Sequence, residues 1–326
     1  MDTRTKIFEF IRANGKARSE DIRREFHLNR SIIHRHLLRL TLENKVIKSG
    51  KPPLVFYIPN ENVEAKDKMV NNKISEFLQK NYLYISPSGQ MLYGQEGFLS
   101  WVTNTNQQEH LEKLIVEYFK IKKAVNKHFN KIGLIEAKKK IKKTFSRNYL
   151  DNIYFADFYS LPKFGKTILG QKVLHSKQAQ LEDIINEIAS EIKNRVLDLI
   201  TKEKIEAIAF IPPTIPRKIQ FLKEIEKNLN LKLPTIKLVK SYSGQIPIAQ
   251  KTLSKLEERI KNAKQSIFIK DISINYERIL IIDDAIGSGA TLNEVASKIK
   301  QLNPKAKVFG FAIVGSFKGF DVISEV

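Results

Sequence analysis

The chain has no cysteine among its 326 residues, which removes disulfides, thiolate zinc sites, iron–sulfur clusters and cysteine nucleophiles at once. Its six histidines are scattered without metal-ligand spacing and offer little in their place. Long apolar runs are missing too. The longest, around 309–317, falls far short of the roughly 20 residues that cross a bilayer, so no membrane span is expected. Nothing behind the amino-terminal MDTRTKIFEF looks like an apolar signal core with small cleavage residues, and a cytoplasmic location is expected. Acidic residues number 35 against 56 basic ones, a formal charge of +21. Such an excess favours polyanionic partners through counterion release, or belongs to a lysine-rich, well-solvated surface. The rest, 42% hydrophobic and 28% charged residues, is the composition of a soluble globular protein long enough for two or three domains.

Residues 1–60 read as three helices and a hairpin. Ile7, Phe8, Phe10 and Ile11 share one face of a first helix that ends near Asn14-Gly15, a pair that tolerates left-handed backbone. Ser19 is expected to cap a second helix with Ile22 and Phe26 inward. A third, over 31–44, repeats Ile33, Leu37 and Leu40 at helical spacing. Two apolar strands, 46–48 and 54–58, follow around Ser49-Gly50-Lys51-Pro52-Pro53. This order resembles a bacterial winged helix-turn-helix. That implies a domain at 1–60 binding double-stranded DNA, with Arg30, Ser31, His34, Arg35 and Arg39 presented to a major groove and Lys48 and Lys51 of the wing on phosphates. Such regulators often pair, so a homodimer is expected. A protein-docking module is the other reading of the same basic face.

Residues 61–150 form a helical and hairpin connector. A polar linker precedes an amphipathic helix through Leu78, then a hairpin over 82–93 with Ser86-Pro87-Ser88-Gly89 at its turn. Trp101 and the aromatics before it are expected to make a small core. A long helix is expected over 109–145, carrying Lys138, Lys139, Lys140, Lys142 and Lys143. Lysines so closely spaced surround a helix, as in a solvated connector, although contact with a phosphate backbone is the second reading.

From 151 onward strand and helix patterns alternate. Segments 206–213, 233–240, 277–284 and 307–315 read as buried strands, and 217–230 and 290–302 as helices. The fold class expected is α/β, a Rossmann-like parallel sheet over 151–326 behind the amino-terminal α+β domain. At one strand end stands Asp283-Asp284-Ala285-Ile286-Gly287-Ser288-Gly289-Ala290-Thr291. Gly287 and Gly289 let the backbone curl so that amide groups converge on one phosphate. Ser288 and Thr291 add hydroxyl donors, and the following helix adds its positive end. Asp283 and Asp284 then lie where the ribose of that phosphate would sit, able to accept from its hydroxyls and to support developing positive charge. No lysine follows the glycines as in a Walker loop, and paired acids ahead of the loop disfavour a dinucleotide fingerprint.

This stretch resembles the signature of type I phosphoribosyltransferases, which bind 5-phosphoribosyl-1-pyrophosphate (PRPP). The resemblance implies transfer of the phosphoribosyl group between PRPP and a nitrogenous base, with Mg2+ arriving on PRPP or pyrophosphate and no direct protein metal site. A narrower likeness to the ComF-like branch rests on Ile211-Pro212-Pro213-Thr214-Ile215-Pro216-Arg217 and on Gln250, Leu253-Ser254, Arg259, Asn262 and Phe268. It implies a pyrophosphate loop with Pro213, Thr214, Arg217, Lys218 and Lys240, and a mobile flap whose Arg259 and Lys261 neutralise the leaving group. Asp283, Asp284 and Arg259 are the catalytic candidates, and 157–177 is the expected hood over the base. The branch's cysteine zinc ribbon is absent. Position 287, where some relatives carry an acidic base, is glycine here. A winged helix ahead of such a domain also resembles purine-repressor-like regulators, which implies the alternative of a non-catalytic sensor of PRPP or a nucleotide.

Overall fold

A computed structural model describes residues 2–43, 45–51, 54–60, 65–138, 141, 144–241, 255–270 and 273–317. Pro52, Pro53, Lys139, Lys140, Lys142, Lys143, Gln250, Leu253 and Ser254 lie outside the described residues, as does the side chain of Lys51. The chain divides into two units, Met1–Glu117 and Tyr118–Val326.

In the first unit, apolar periodicity produces α1 (Thr3–Ala13), α2 (Ser19–Phe26) and α3 (Arg30–Leu42), then the antiparallel pair β1 (Val46–Lys51) and β2 (Leu54–Pro59). Ile7, Ile11, Ile22, Ile33, Leu37 and Leu40 fill one core with Val46 and Tyr57. The start of α2 differs from expectation: Arg18 holds the cap position, its backbone N–H donating to Asp21 at 2.9 Å, and Ser19 is already helical. Asn29 caps α3 by accepting from Ile32 N–H at 2.9 Å, an Asx cap of the ordinary kind. The unit continues with α4 (Ala65–Asn81), the hairpin β3 (Leu83–Ile85) and β4 (Met91–Tyr93), and α5 (Gly94–Asn104). Trp101 leans on Tyr82 and Phe98, with ring centroids 6.3 and 5.6 Å away, as a small aromatic core.

The single helix expected over 109–145 is broken. Helix α6 spans Leu111–Asn126, with the unit boundary inside it, and is followed by β5 (Ile135–Glu136). The break is local chemistry: Asn130 Oδ1 accepts from the N–H groups of Ile132 and Leu134 at 3.1 and 3.0 Å, a turn that competes with helix.

The second unit is built on a five-stranded sheet of β5, β6 (Asn152–Phe158), β9 (Ala207–Phe210), β12 (Arg278–Ile286) and β13 (Lys307–Gly315). Their order across the sheet is β5-β6-β13-β12-β9. All neighbours run parallel except β5, which is antiparallel to β6 at one edge. Ile279, Leu280, Ile281 and Ile282 are wholly buried, as strands covered on both faces require. Between β6 and β9 come the short hairpin β7 (Ser160–Leu161) and β8 (Gly165–Lys166), then α7 (Ile168–Ala179) and α8 (Glu182–Glu203). After β9 follow α9 (Phe221–Leu229), β10 (Leu238–Lys240), α10 (Leu256–Ser266) and β11 (Ile267–Ile269); α11 (Ala290–Leu302) joins β12 to β13. Successive residues of β6 show the two covered faces: Ile153 and Leu292 of α11 close over Gly310, while Tyr154 Oη donates to Glu203 of α8 at 2.7 Å.

Two expectations are corrected here. Segment 233–240 is not a full sheet strand: it touches β9 through an Ile208–Thr235 bridge and then leaves to pair antiparallel with β11. The 157–177 hood begins inside β6, so its first residues belong to the sheet rather than to a cover. Among the described residues, no helix is long and apolar enough to cross a membrane.

Candidate functional site

Parallel strands deliver their carboxyl ends to one edge, and this edge gathers the polar residues. Strand β12 runs on through both acids to Ile286, two residues beyond expectation, with Asp283 opposite Ala312 and Ile286 opposite Gly315. The turn is therefore only Gly287-Ser288-Gly289. Gly289 adopts φ +78°, a left-handed conformation that glycine takes without a Cβ penalty, and caps α11, whose Asn293 N–H returns to Gly289 O at 2.9 Å. Ser288 is buried and accepts from Ala290 N–H at 3.3 Å, so it braces the turn itself. Thr291 opens the helix half-buried.

Beside this turn, Ile211 N–H extends the β9 register by donating to Ile282 O at 2.9 Å. That places the 211–220 loop next to the acids. Lys240 arrives from β10 and donates to Thr214 Oγ1 at 2.7 Å. Burial pulls the Lys240 pKa down, opposed by the attraction of Asp283 and Asp284. Asp283 accepts from its neighbour's backbone N–H at 2.8 Å. Desolvation first, and the adjacent Asp284 second, push its carboxyl up to about 7, against the pull of Lys240 and Lys177. Lys177, from the last turn of α7, forms an ion pair with Asp284.

The structure thus brings together Asp283, Asp284, Thr214 and Lys240. Arg259 also belongs here: it is 6% exposed, and its guanidinium lies 3.3 Å from where a Cβ on Gly287 would stand. Burial lowers its pKa. Arg259 sits on a regular helix, α10, so this part of the expected flap is a packed element. Lys261, two residues on, turns about 200° around that helix and is exposed on the other side. Arg217 donates to the Lys177 carbonyl. Pro213 and Lys218 are exposed on the loop. Sequence reasoning missed Lys177, which lies 107 residues from its acid partner; no local pattern carries that pairing.

No protein-family model matches the chain, and no curated protein matches it. Among solved structures the chain is similar to a hypoxanthine phosphoribosyltransferase from Staphylococcus aureus, with 13% identity over 44% of this chain and 70% of that one and a TM-score of 0.26. It is also similar to a purine phosphoribosyltransferase from Pyrococcus horikoshii Ot3, with 15% identity over 42% of this chain and 94% of that one and a TM-score of 0.21. Overlaps this slight leave the function to the geometry of the site.

In the first unit, Arg30, Ser31 and Arg35 are exposed on α3, opposite the buried Ile33, Leu37 and Leu40. Lys48 is exposed on β1. His34 is half-buried and shifted toward the neutral form by desolvation, with Arg30 and Lys48 adding to it. Arg39 departs from the expected outward face: it pairs with Glu96 of α5 at 2.8 Å.

Proposed function

We propose that the second unit binds a ribose 5-phosphate ligand at 283–291 and transfers the phosphoribosyl group between PRPP and a nitrogenous base. The observation that carries this reading is the placement of Asp283 and Asp284 at the sheet's carboxyl edge, directly before Gly287–Gly289 and the start of α11. The turn and the first amides of α11 receive the 5′-phosphate. The acids accept from the 2′ and 3′ hydroxyls of the ribose. As the C1′–oxygen bond to pyrophosphate breaks and a C1′–nitrogen bond forms, positive charge grows on the ribose and the carboxylates stabilise it. The leaving pyrophosphate takes the electron pair beside Thr214 and Lys240, and the base loses its N–H proton to solvent or to a neighbouring acceptor. Asp284 is already paired with the Lys177 ammonium group. Magnesium that takes part enters on the ligand's phosphates, its usual route. Incubation with labelled PRPP, magnesium and a panel of bases tests the reading. A nucleotide and pyrophosphate are expected, and PRPP should raise the melting temperature; no thermal shift with PRPP or any nucleotide would sink it.

One observation favours the sensing alternative. At Gly287, where an acidic general base could stand, the neighbour is the Arg259 guanidinium, which suits a phosphate and accepts no proton. Tight ligand binding with no turnover on any base would select this reading.

We further propose that 1–60 is a winged helix that binds duplex DNA through Arg30, Ser31 and Arg35, with Lys48 on a phosphate. Replacing Arg30 and Arg35 by alanine is expected to weaken duplex retardation roughly tenfold and to flatten its salt dependence by about two phosphate contacts. Wild-type protein that fails to retard duplex DNA even at low salt excludes this role.

A further inference from the structure

We infer that Lys177 is the resident cation of the acid pair, so that the site takes a ribonucleoside 5′-monophosphate without a divalent metal. This deepens the phosphoribosyl reading and rests on it. Adjacent carboxylates on one strand normally attract a divalent cation or stay partly protonated. Here Lys177 forms an ion pair with Asp284, and Lys240 faces both acids from its bond to Thr214. The Asp284 carboxylate is therefore balanced by Lys177, with Lys240 attracting both acids, before any metal arrives.

Lys177 is built into this position from three sides. Its ammonium group also lies 5.8 Å from the centre of the Phe221 ring on α9. Its carbonyl accepts from Arg217. Three residues on, Gln180 Oε1 accepts from Ile219 N–H at 3.0 Å and ties the end of α7 to the 211–220 loop. An exposed lysine that met an acid by chance would have none of these ties.

The pair remains open to a sugar. An ionised carboxylate offers about four lone-pair sites, and Lys177 uses one of those on Asp284, leaving acceptors for ribose hydroxyls. Arg259 against Gly287 supplies positive charge at the phosphate turn. A monophosphate is thus matched by side chains alone. The second phosphate group of PRPP finds Arg217 already engaged and Lys218 out on the exposed loop, so PRPP gains from magnesium where a nucleotide does not.

The test is calorimetric titration of the full chain with AMP, GMP, CMP and UMP, in excess EDTA and in excess magnesium. Wild type, Lys177→Met and Lys177→Arg are compared, with melting curves confirming that each is folded. For the nucleotide that binds, wild type is expected to show the same Kd in both buffers within about twofold, as is Lys177→Arg. Lys177→Met should bind at least about tenfold more weakly in EDTA, the loss of one charge-assisted contact, and recover part of that in magnesium. A wild-type Kd that rises about tenfold in EDTA, or a methionine variant indistinguishable from wild type in EDTA, overturns the inference while leaving the phosphoribosyl reading intact. If no monophosphate binds any of the three proteins in either buffer, that reading fails and this one with it.

Discussion

The Asp283→Asn protein is expected to melt at a higher temperature than wild type above pH 7 and to bind phosphoribosyl ligands about 10–100-fold more weakly. The reason is the carboxyl's elevated pKa, which burial and Asp284 carry from 3.8 to about 7. A raised acid keeps its proton in the folded chain while the unfolded chain ionises. Its contribution to stability is therefore complete below pH 4, declines as pH rises toward 7, and is lost above it. Asparagine keeps an oxygen for the Asp284 N–H but has no charge to desolvate, so this part of the pH-dependent loss should be missing from its profile. For a unit of this size about 2–4 °C accompanies each kcal/mol. Melting curves should coincide near pH 4 and separate by several degrees at pH 8. Removing an ionised acceptor for a ribose hydroxyl should at the same time weaken ligand binding by about 10–100-fold. Parallel melting profiles across pH, or a variant that binds as wild type does, would contradict the assignment. A gain in stability joined to a loss of binding marks a group placed for a ligand, since packing residues lose stability when replaced.

How far the sequence disclosed this arrangement depends on the range of each interaction. The apolar run 279–282, the twin acids and the glycines are contiguous, so β12, the turn and the start of α11 were readable directly, although the strand continues to Ile286. The three amino-terminal helices were readable because their buried residues repeat at 3.6-residue spacing. Strand β6 escaped because its mixed Asn152–Phe158 run shows neither clean alternation nor a wholly apolar stretch. It becomes a strand by lying against β13, more than 150 residues later. Segment 233–240 misled in the opposite sense. Its apolar residues reflect two partners, β9 at Thr235 and then β11, and a single strand pattern cannot show the change. The Asn130 turn left signals in Asn130 and Gly133 that the surrounding lysines and apolar residues masked as helix. Lys177 left none, since an ion pair across the fold is set by where α7 ends. Arg259 and Lys261, two residues apart in sequence, separate once they lie on a helix.

Gly170→Ala is expected to destabilise the second unit by about 3 kcal/mol or more, the upper range for an overfilled site, and to remove nucleotide binding. A Cβ at Gly170 would stand 2.0 Å from the carbonyl oxygen of Tyr159 and 3.0 Å from its carbonyl carbon. Those are backbone atoms, so the clash cannot be relieved by a side-chain rotation. They are also engaged: Tyr159 O accepts from Thr167 N–H at 3.1 Å. Thr167 in turn caps α7, accepting from Gly170 N–H at 3.0 Å and donating to Phe158 O at 2.6 Å. Relief therefore requires the first turn of α7 to lift from the end of β6. Because the helix moves as a rigid rod, Lys177 in its last turn shifts away from Asp284, and its three ties are strained together. The expected readouts are a melting temperature lower by roughly 6–12 °C and nucleotide affinity reduced well beyond tenfold at temperatures where the protein is still folded. Lys177→Met separates the two consequences, since it should lose affinity in EDTA with little change in melting temperature. A Gly170→Ala protein melting within about 2 °C of wild type would mean that α7 does not press on Tyr159 as described, and the positioning of Lys177 would then need another support.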